Sequence, residues 1–196
     1  MLGESHGIAE TVSAILTLVR QLGVRALAFE WSHDEIDEVV QAVFATGRID
    51  LDALWEVPVG GDLFAGDGRF TAGHVRLVEQ LVAAGELEQV ILVDRLGSEG
   101  HERERELAAR LLESLRPDLR AIAIVGQGHT LRETTGVAES MFDHLEQALP
   151  EVANGSLSFS SGTCYYRGEG EVWPITDATD SLFELGVATP AVVPAK

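Results

Sequence analysis

The stretch AIAIVGQGH at residues 121–129 decides the fold predicted for this chain, because five consecutive apolar residues end abruptly in two glycines and a histidine. A strand that is apolar at every position is buried on both faces, as in a parallel sheet covered by helices. The runs ALAF at residues 26–29 and VILV at residues 90–93 have the same character. Segments with helical spacing separate these runs. The alternation predicts an α/β domain with a mainly parallel sheet and helices on both faces.

Five helices are predicted between and around the strands. The first carries apolar residues on one face from Val12 to Leu22 and ends at Gly23. The second begins at Ser32, which with Glu35 matches a capping box, and ends at Gly47. The other three are expected from residue 71, over residues 102–115 and over residues 137–149, and residues 48–70 are expected to be irregular.

The C-terminal part changes character. Residues 155–175 alternate polar and apolar side chains, and glycines at positions 168 and 170 can form a turn. This pattern predicts an antiparallel hairpin at the edge of the parallel sheet. Its aromatic residues are expected to cover that edge, with a homodimer contact as the alternative. The chain is therefore treated as one domain over residues 1–196, with a core at 2–150, the hairpin at 151–180 and a loose tail at 181–196.

Composition narrows the function classes. The chain has 196 residues and a formal charge of −18, which argues against nucleic acid and anionic membranes as partners. Cys164 is the single cysteine, so no intrachain disulfide framework is expected and a reducing compartment fits. The sequence shows neither a signal peptide nor an apolar run of transmembrane length, although residues upstream of Met1 would change that reading. The expectation is a cytoplasmic protein that acts on a small-molecule substrate.

Ionisable residues follow each predicted strand. In open α/β sheets the ligand crevice lies outside the carboxyl ends of the strands, so these residues are expected to converge. Glu4 and His6 are two positions apart and point to the same side of an extended chain. The strand-end residues are Glu4, His6, Glu30, Asp94, Arg95 and His129.

These residue types suit acid–base chemistry. A histidine beside carboxylates can act as a general base, and Glu4 or Glu30 can orient His6. His129 can serve as the matching acid or as an electrophile. Arg103, with its planar guanidinium, can hold a substrate carboxylate or an oxyanion. The catalytic candidates are His6, Glu4, Glu30 and His129, and the substrate-binding candidates are Arg103, Arg95 and Asp94.

Each candidate also has a structural alternative. His6 can cap a turn, and Glu30 can pair with an arginine. Arg103 can belong to a solvated helix start, and His129 can be an ordinary loop residue. His33, His74 and His101 are expected at the surface. Aromatic residues in the irregular segment either form a wall of the crevice or pin a long loop to the core; they are Trp55, Phe64 and Phe70.

Ser5 offers a different chemistry. It stands in Gly3-Glu4-Ser5-His6-Gly7, which matches the G-x-S-x-G nucleophile elbow. That elbow normally follows several strands, and its oxyanion hole includes an amide from an upstream loop. Here two residues precede the pattern, so a turn or cap role for Ser5 is preferred over nucleophilic catalysis.

Several segments together resemble the superfamily of erythromycin esterases, ChaN-like haem-binding proteins and Tiki-type proteases. They are LGESHG (2–7), ALAFEW (26–31), DGRFTAGHVRLVEQL (67–81), RERELAARLL (103–112) and AIAIVGQGHT (121–130). The resemblance covers about residues 2–150. It implies an α/β fold with Glu4, His6, Glu30, Arg103 and His129 at one site.

The chain departs from each branch of that superfamily. One residue separates Glu4 from His6, where the esterases have two, and this spacing is closer to ChaN-like members. The chain is shorter than an erythromycin esterase, so a macrolide substrate does not carry over. Three functions remain open: a metal-independent hydrolase or related acid–base enzyme without a covalent nucleophile, a metal-dependent hydrolase, and a module that binds haem or another small molecule. No cofactor is expected for the first, which is preferred, and a divalent metal or haem for the others.

Overall fold

A computed structural model describes residues 1–57, 66–95, 97–131, 139–166, 171–174 and 183–192. Strands and helices alternate along the first two thirds of the chain. The strands are β1 (Leu2–Glu4), β2 (Ala26–Ser32), β3 (Gln89–Asp94), β4 (Ala121–Gly126), β5 (Gly155–Tyr166), β6 (Glu171–Pro174) and β7 (Phe183–Ala188). The helices are α1 (Ala9–Leu22), α2 (His33–Gln41), α3 (Val43–Thr46), α4 (Leu51–Glu56), α5 (Ala72–Ala83), α6 (Gly100–Ser114) and α7 (Met141–Ala148).

The strands form one sheet in the order β3-β2-β4-β1-β5-β6, with β7 also paired to β5. The four strands β1 to β4 pair in parallel, with Phe29 of β2 beside both Leu92 of β3 and Ile124 of β4. The prediction of an α/β fold with a mainly parallel sheet is confirmed. Because these four strands run in one direction, their carboxyl ends meet at one edge of the sheet.

The C-terminal part differs from the predicted antiparallel hairpin. Strand β5 runs parallel to β1 at Leu2 and Gly3, and parallel to β7 from Leu157 onward. The last four residues of β5 run antiparallel to β6. Positions 167–170, where the turn was expected, lie outside the described residues. The tail is not loose throughout, since Phe183–Ala188 forms β7.

Two apolar cores cover the two faces of the sheet. The first contains Ile15 of α1, Val40 of α2 and Leu81 of α5, packed on Leu27 and Phe29. On the other face, the second core contains side chains from α6 and α7 packed on the alternate strand residues; they include Leu107, Leu111, Met141, Leu145, Ala28, Ile91 and Val125. Alternation of side chains along each strand therefore sends neighbouring residues into different cores.

Several local predictions needed correction. Ser32 ends β2 and its side chain forms no cap hydrogen bond, so the expected capping box is absent there. A capping box forms instead at Ser140 and Asp143, at the start of α7. The predicted second helix is divided at Ala42, and the segment expected to be irregular contains α4. Within the described ranges, none of the helices has the length and apolar character needed to span a bilayer.

Candidate active site

The site forms where the carboxyl ends of the parallel strands meet two later segments. Strand β1 ends at Glu4, β3 ends at Asp94, and Glu30 lies near the end of β2. Helix α6 supplies Arg103, and a 3₁₀ turn after β4, Gln127–Thr130, supplies His129. The structure brings these residues together with His6, so six of the predicted residues share one cluster; they are Glu4, His6, Glu30, Asp94, Arg103 and His129.

Glu30 lies at the centre of the cluster, and its Oε1 faces three cationic or imidazole groups. Arg103 Nη2 donates to this oxygen at 2.6 Å. Arg69 Nη1 is 2.8 Å from it, and His129 Nε2 is 3.2 Å from it. The carboxyl is almost fully buried, which by itself raises its pKa, but the hydrogen bonds and charges around it hold the pKa of Glu30 well below its usual value.

The other oxygen of Glu30 faces the opposite side of the site. The backbone N–H of Gly126 donates to Oε2 at 2.7 Å, and His6 Nε2 lies 3.5 Å away. The two oxygens of one carboxylate therefore hold the Nε2 atoms of two different histidines. A side chain at position 126 would place its Cβ 2.9 Å from His6 Nε2, so the absence of a side chain here lets His6 approach Glu30.

His6 lies between two carboxylates. Its Nδ1 is hydrogen-bonded to Glu4 Oε1 at 3.2 Å, and its side chain is 15% exposed. Burial opposes the protonated form of the ring. The hydrogen bonds and charges of Glu30 and Glu4 outweigh burial and raise the pKa of His6 to about 10. His6 therefore carries a proton at neutral pH when no substrate is bound.

His129 is held by a carboxylate of its own. Its Nδ1 lies 2.8 Å from Glu104 Oε2, and the same oxygen accepts the backbone N–H of Met141. Burial again lowers the pKa of the ring, but the hydrogen bonds to Glu104 and Glu30 prevail and raise the pKa of His129 to about 9. Because Glu104 accepts from Nδ1, the Nε2 atom of His129 faces Glu30.

Two arginines neutralise the remaining carboxylates. Arg103 donates from Nε and Nη2 to the two oxygens of Asp94, at 3.0 and 2.7 Å. Arg69 donates from Nη1 to Asp94 Oδ2 at 3.0 Å and from Nη2 to Asp67 Oδ2 at 2.6 Å. Both guanidinium groups are thus engaged with protein carboxylates. Arg103 and Asp94, which were predicted to bind substrate, are paired with each other in this structure.

Arg95 lies outside the cluster. Its side chain is 60% exposed and its Nε lies 3.3 Å from Asp34 Oδ2. Arg95 follows Asp94 directly, and alternation along an extended strand sends its side chain away from the site. The structure does not bring Arg95 together with Arg103, and substrate binding by Arg95 stays a prediction.

Glu4 is tied to a second histidine that the sequence analysis had placed at the surface. His74 of α5 is buried, and its Nε2 is 3.5 Å from Glu4 Oε2. Its Nδ1 is paired with Thr71 Oγ1 at 3.0 Å, and its ring packs edge-on against Phe29. Burial raises the pKa of Glu4, but the charge of His74 and the hydrogen bond with His6 lower it more, so the net shift is downward.

Ser5 has no place in this network. It is half-buried, and no hydrogen bond in the described part of the chain joins it to a histidine. The glycines of its motif have structural roles: a Cβ at Gly3 would lie 2.7 Å from Thr130 Oγ1. Gly7 has φ of 77° and accepts backbone hydrogen bonds from two later segments. The G-x-S-x-G pattern is therefore explained by a tight turn and close packing.

Two site residues on helices were not predicted, although the spacing of the apolar residues that follow them indicates that they are buried. His74 precedes Leu77, Val78 and Leu81 at the spacing i, i+3, i+4 and i+7, which is the buried face of α5. Glu104 precedes Leu107, Ala108 and Leu111 at the same spacing in α6. A polar residue that heads an apolar row points toward the core. Asp67 and Arg69 lie before α5 and carry no such signal.

The aromatic residues of the irregular segment pin it to the core. The ring of Phe70 lies 4.5 Å from that of Trp31, and Trp31 Nε1 donates to the carbonyl of Arg69 at 2.9 Å. Trp55 is partly buried against the same core. Phe64 lies outside the described residues. Phe70 therefore anchors this segment to the core, and the contact fixes the backbone that carries Arg69.

The chain is thus an α/β protein with a cluster of histidines, carboxylates and arginines at the carboxyl edge of a mainly parallel sheet. No family model matches the sequence, and no curated protein is significantly similar to it. The chain is similar in structure to RRSP, a MARTX toxin effector domain from Vibrio vulnificus CMCP6, with a TM-score of 0.52 and 14% identity. The match covers 91% of this chain and 35% of the RRSP chain, so the present chain corresponds to about a third of that structure. At this identity the likeness supports the fold alone.

Proposed function

We propose that this protein is a small-molecule hydrolase, of esters or lactones, whose chemistry is performed by His6 and His129 around Glu30. The observation that carries the proposal is the placement of two histidine Nε2 atoms on the two oxygens of one buried carboxylate, at 3.5 and 3.2 Å. Hydrolysis needs one group that takes a proton from water and another that gives a proton to the leaving group. A pair of imidazoles on one anion supplies both.

Neighbouring carboxylates raise the pKa of both rings, of His6 to about 10 and of His129 to about 9, so both rings bind a proton strongly. We assign the role of base to His6 and the role of acid to His129. In the proposed step His6 in its basic form takes a proton from water, and the water oxygen bonds to the carbonyl carbon. The bond to the leaving oxygen then breaks as His129 protonates that oxygen. The cycle closes when the proton on His6 returns to His129 through solvent.

Charge balance in the cluster explains why both rings hold a proton at neutral pH. Five carboxylates face two guanidinium groups, leaving three negative charges, and protonation of His6 and His129 leaves one. The remaining negative charge favours a protonated over a neutral imidazole. The arginines keep Glu30 ionised, so the carboxylate orients the rings and balances their charge. The carboxylates are Glu4, Glu30, Asp67, Asp94 and Glu104.

The metal-dependent alternative is less favoured by the same contacts. Arg103 and Arg69 already occupy Glu30 Oε1 and both oxygens of Asp94. A divalent cation at this point would lie beside two fixed positive charges, which raises its free energy. Haem binding, the third alternative, is tested by titrating the protein with haemin and following the absorbance spectrum. A stoichiometric haem complex with a shifted Soret band would favour it over hydrolysis.

The experiment compares His6→Ala with Ser5→Ala on a panel of p-nitrophenyl esters and simple lactones. His6→Ala is expected to lower kcat/KM by about 100-fold or more, the scale of general acid–base catalysis. Ser5→Ala is expected to keep most of the activity, because Ser5 is not bonded to either site histidine. Wild-type activity should also rise between about pH 7 and about pH 9, as the basic form of His6 becomes more populated.

The opposite pattern would support a serine hydrolase. Loss of activity in Ser5→Ala, or a stable acyl adduct on Ser5, would contradict the proposal. Matched circular dichroism spectra and melting temperatures for the two variants exclude unfolding as the cause of a loss. A wild-type protein that hydrolyses none of the panel and shows no activity toward amides would also count against it.

A further inference from the structure

A second group of metal-binding side chains lies where helices α6 and α7 begin, outside the candidate active site. His101 is in the first turn of α6, Glu139 precedes the N-cap of α7, and His144 is in α7. One ligand atom from each residue lies within 4.8 Å of the others. We propose that these three side chains form a binding site for a divalent cation, with Zn²⁺ as the best-fitting ion. This proposal does not depend on the hydrolase activity.

The distances are close to those of a coordinated ion. Glu139 Oε2 lies 3.9 Å from His101 Nε2 and 3.9 Å from His144 Nε2. Ligands about 2.0–2.1 Å from a tetrahedral Zn²⁺ are about 3.3 Å apart, so each of these two pairs needs to close by roughly 0.6 Å. The ligand atoms of His101 and His144 lie within 4.8 Å of each other, so this pair needs to close by about 1.5 Å at most. The side chains of His101 and Glu139 are 55% and 45% exposed, which leaves them free to rotate toward an ion.

His144 gives an independent reason for a ligand at this position. Its Nε2 is buried and forms no hydrogen bond with the described part of the chain. A buried polar atom without a partner costs free energy, and a cation would remove that cost. Gln147 Nε2 lies 3.5 Å from the other oxygen of Glu139, Oε1, which helps direct Oε2 toward the two imidazoles.

The donor set selects the class of ion. Two imidazole nitrogens and one carboxylate oxygen suit Zn²⁺, whereas Mg²⁺ and Ca²⁺ prefer oxygen ligands throughout. Three protein ligands leave a fourth position for water. The site would join the first turn of α6 to α7 beside Glu104, which already connects α6 to the first residue of α7, Met141. A bound ion would therefore stabilise the helix that carries Arg103.

The test uses the full chain after removal of metal with EDTA, titrated with Zn²⁺ alone by calorimetry. We expect one Zn²⁺ per chain. At a hundredfold excess over Kd, the melting temperature should rise by about 5 °C or more. His101→Ala and Glu139→Gln should each abolish this binding, and His6→Ala should retain it. Because both altered side chains are exposed, the metal-free melting temperatures should match that of wild type.

Three outcomes would overturn the inference. Wild-type protein that takes up no Zn²⁺ would do so, as would uptake that is unchanged in His101→Ala. Uptake that is lost in His6→Ala but kept in His101→Ala would place the ion in the candidate active site. Hydrolysis by EDTA-treated wild type, measured in parallel, separates this result from failure of the proposed function.

Discussion

Glu30 sets the protonation of both site histidines. Each ring faces a different oxygen of this carboxylate, and each has a raised pKa. The carboxylate itself stays ionised because Arg103, Arg69 and the backbone N–H of Gly126 surround it. With Glu4 beside His6 and Glu104 beside His129, this shared buried anion keeps both imidazoles protonated at neutral pH, which an isolated histidine is not.

The raised pKa of His6 makes the stability of the fold depend on pH. In the folded protein this ring stays protonated up to about pH 10, but in the unfolded chain only up to its ordinary value of about 6.5. The stabilisation is complete below the unfolded pKa and is lost as the pH rises from there through the folded pKa. We expect the melting temperature of wild type to fall over this window by more than that of His6→Gln. Thermal unfolding of both proteins at about pH 6 and about pH 10 checks this, and equal falls would contradict it.

Gly126→Ala tests the approach of His6 to Glu30. The backbone at Gly126 has φ of −54° and ψ of 142°, which alanine adopts without strain. The new methyl would lie 2.9 Å from His6 Nε2, so the ring has to move away from Glu30. We expect a stability loss below about 1.5 kcal/mol and a fall in kcat/KM of at least about 10-fold.

A matched control for this substitution is Gly186→Ala. Apart from its chain neighbours, no heavy atom of the described residues lies within 4 Å of the position its Cβ would take, so its activity should equal that of wild type. Steady-state kinetics and chemical denaturation of both variants separate the two effects. A fully active Gly126→Ala enzyme would show that the distance between His6 and Glu30 does not matter for catalysis.

At the scale of elements, α6 connects the site to the second core. Arg103 faces the site, whereas the next residue, Glu104, is buried and bonds both His129 and the first residue of α7. The apolar row that follows Glu104 packs on the sheet and fixes the rotation of the helix. The same packing therefore determines the positions of an arginine and a carboxylate that hold His129 from two sides.

Glu104→Ala should destabilise the protein. The substitution leaves two buried donors without an acceptor, the Nδ1 of His129 and the backbone N–H of Met141. Each unpaired donor costs about 1–3 kcal/mol, so the free energy of unfolding should fall by about 2–6 kcal/mol. Urea denaturation measures this change.

Glu102→Ala in the same helix is the matched control. Its carboxylate is 66% exposed and lies 3.7 Å from Arg105, so its removal should change stability by less than about 0.5 kcal/mol. Equal losses in the two variants would show that the buried contacts of Glu104 contribute no more to stability than a surface ion pair.

At the scale of the whole molecule, the C-terminal strands complete the sheet. Strand β5 pairs with β1, and its Leu157 and Phe159 are buried in the first core. Strand β7 pairs with β5, and the backbone carbonyl of Thr189 accepts from the N–H of Ala9 at the start of α1. The last part of the chain therefore holds the short first strand, which ends at Glu4.

Deletion of the residues after Asn154 should unfold or aggregate the protein. The truncation removes three strands and leaves one edge of β1 unpaired, with apolar side chains of the first core exposed to water. Size-exclusion chromatography and a thermal melt of the truncated chain test this. A soluble, monomeric truncated protein with the wild-type melting temperature would contradict it.

Much of the fold and part of the site followed from local patterns. The apolar runs predicted β2, β3 and β4, because a strand buried on both faces needs apolar residues on both. The positions of Glu4, Glu30 and Asp94 at strand ends predicted their convergence, since parallel strands share one polarity. Helical spacing also contains the signal for the burial of His74 and Glu104.

The remaining features of the fold and of the site depend on the tertiary structure. Arg69 and Asp67 reach the site because Trp31 contacts the segment that carries them, at Phe70 and at the carbonyl of Arg69. This is a contact between distant parts of the chain. The pairing of β5 with β1 joins residues far apart in the chain, and alternation within β5 did not specify its partner. The protonation of His6 depends on how deeply two carboxylates are buried beside it. The sequence by itself determined the buried strands β2, β3 and β4 and the ionisable residues at strand ends, because those properties are local. Strand partners, burial and charge state depend on packing between distant parts of the chain.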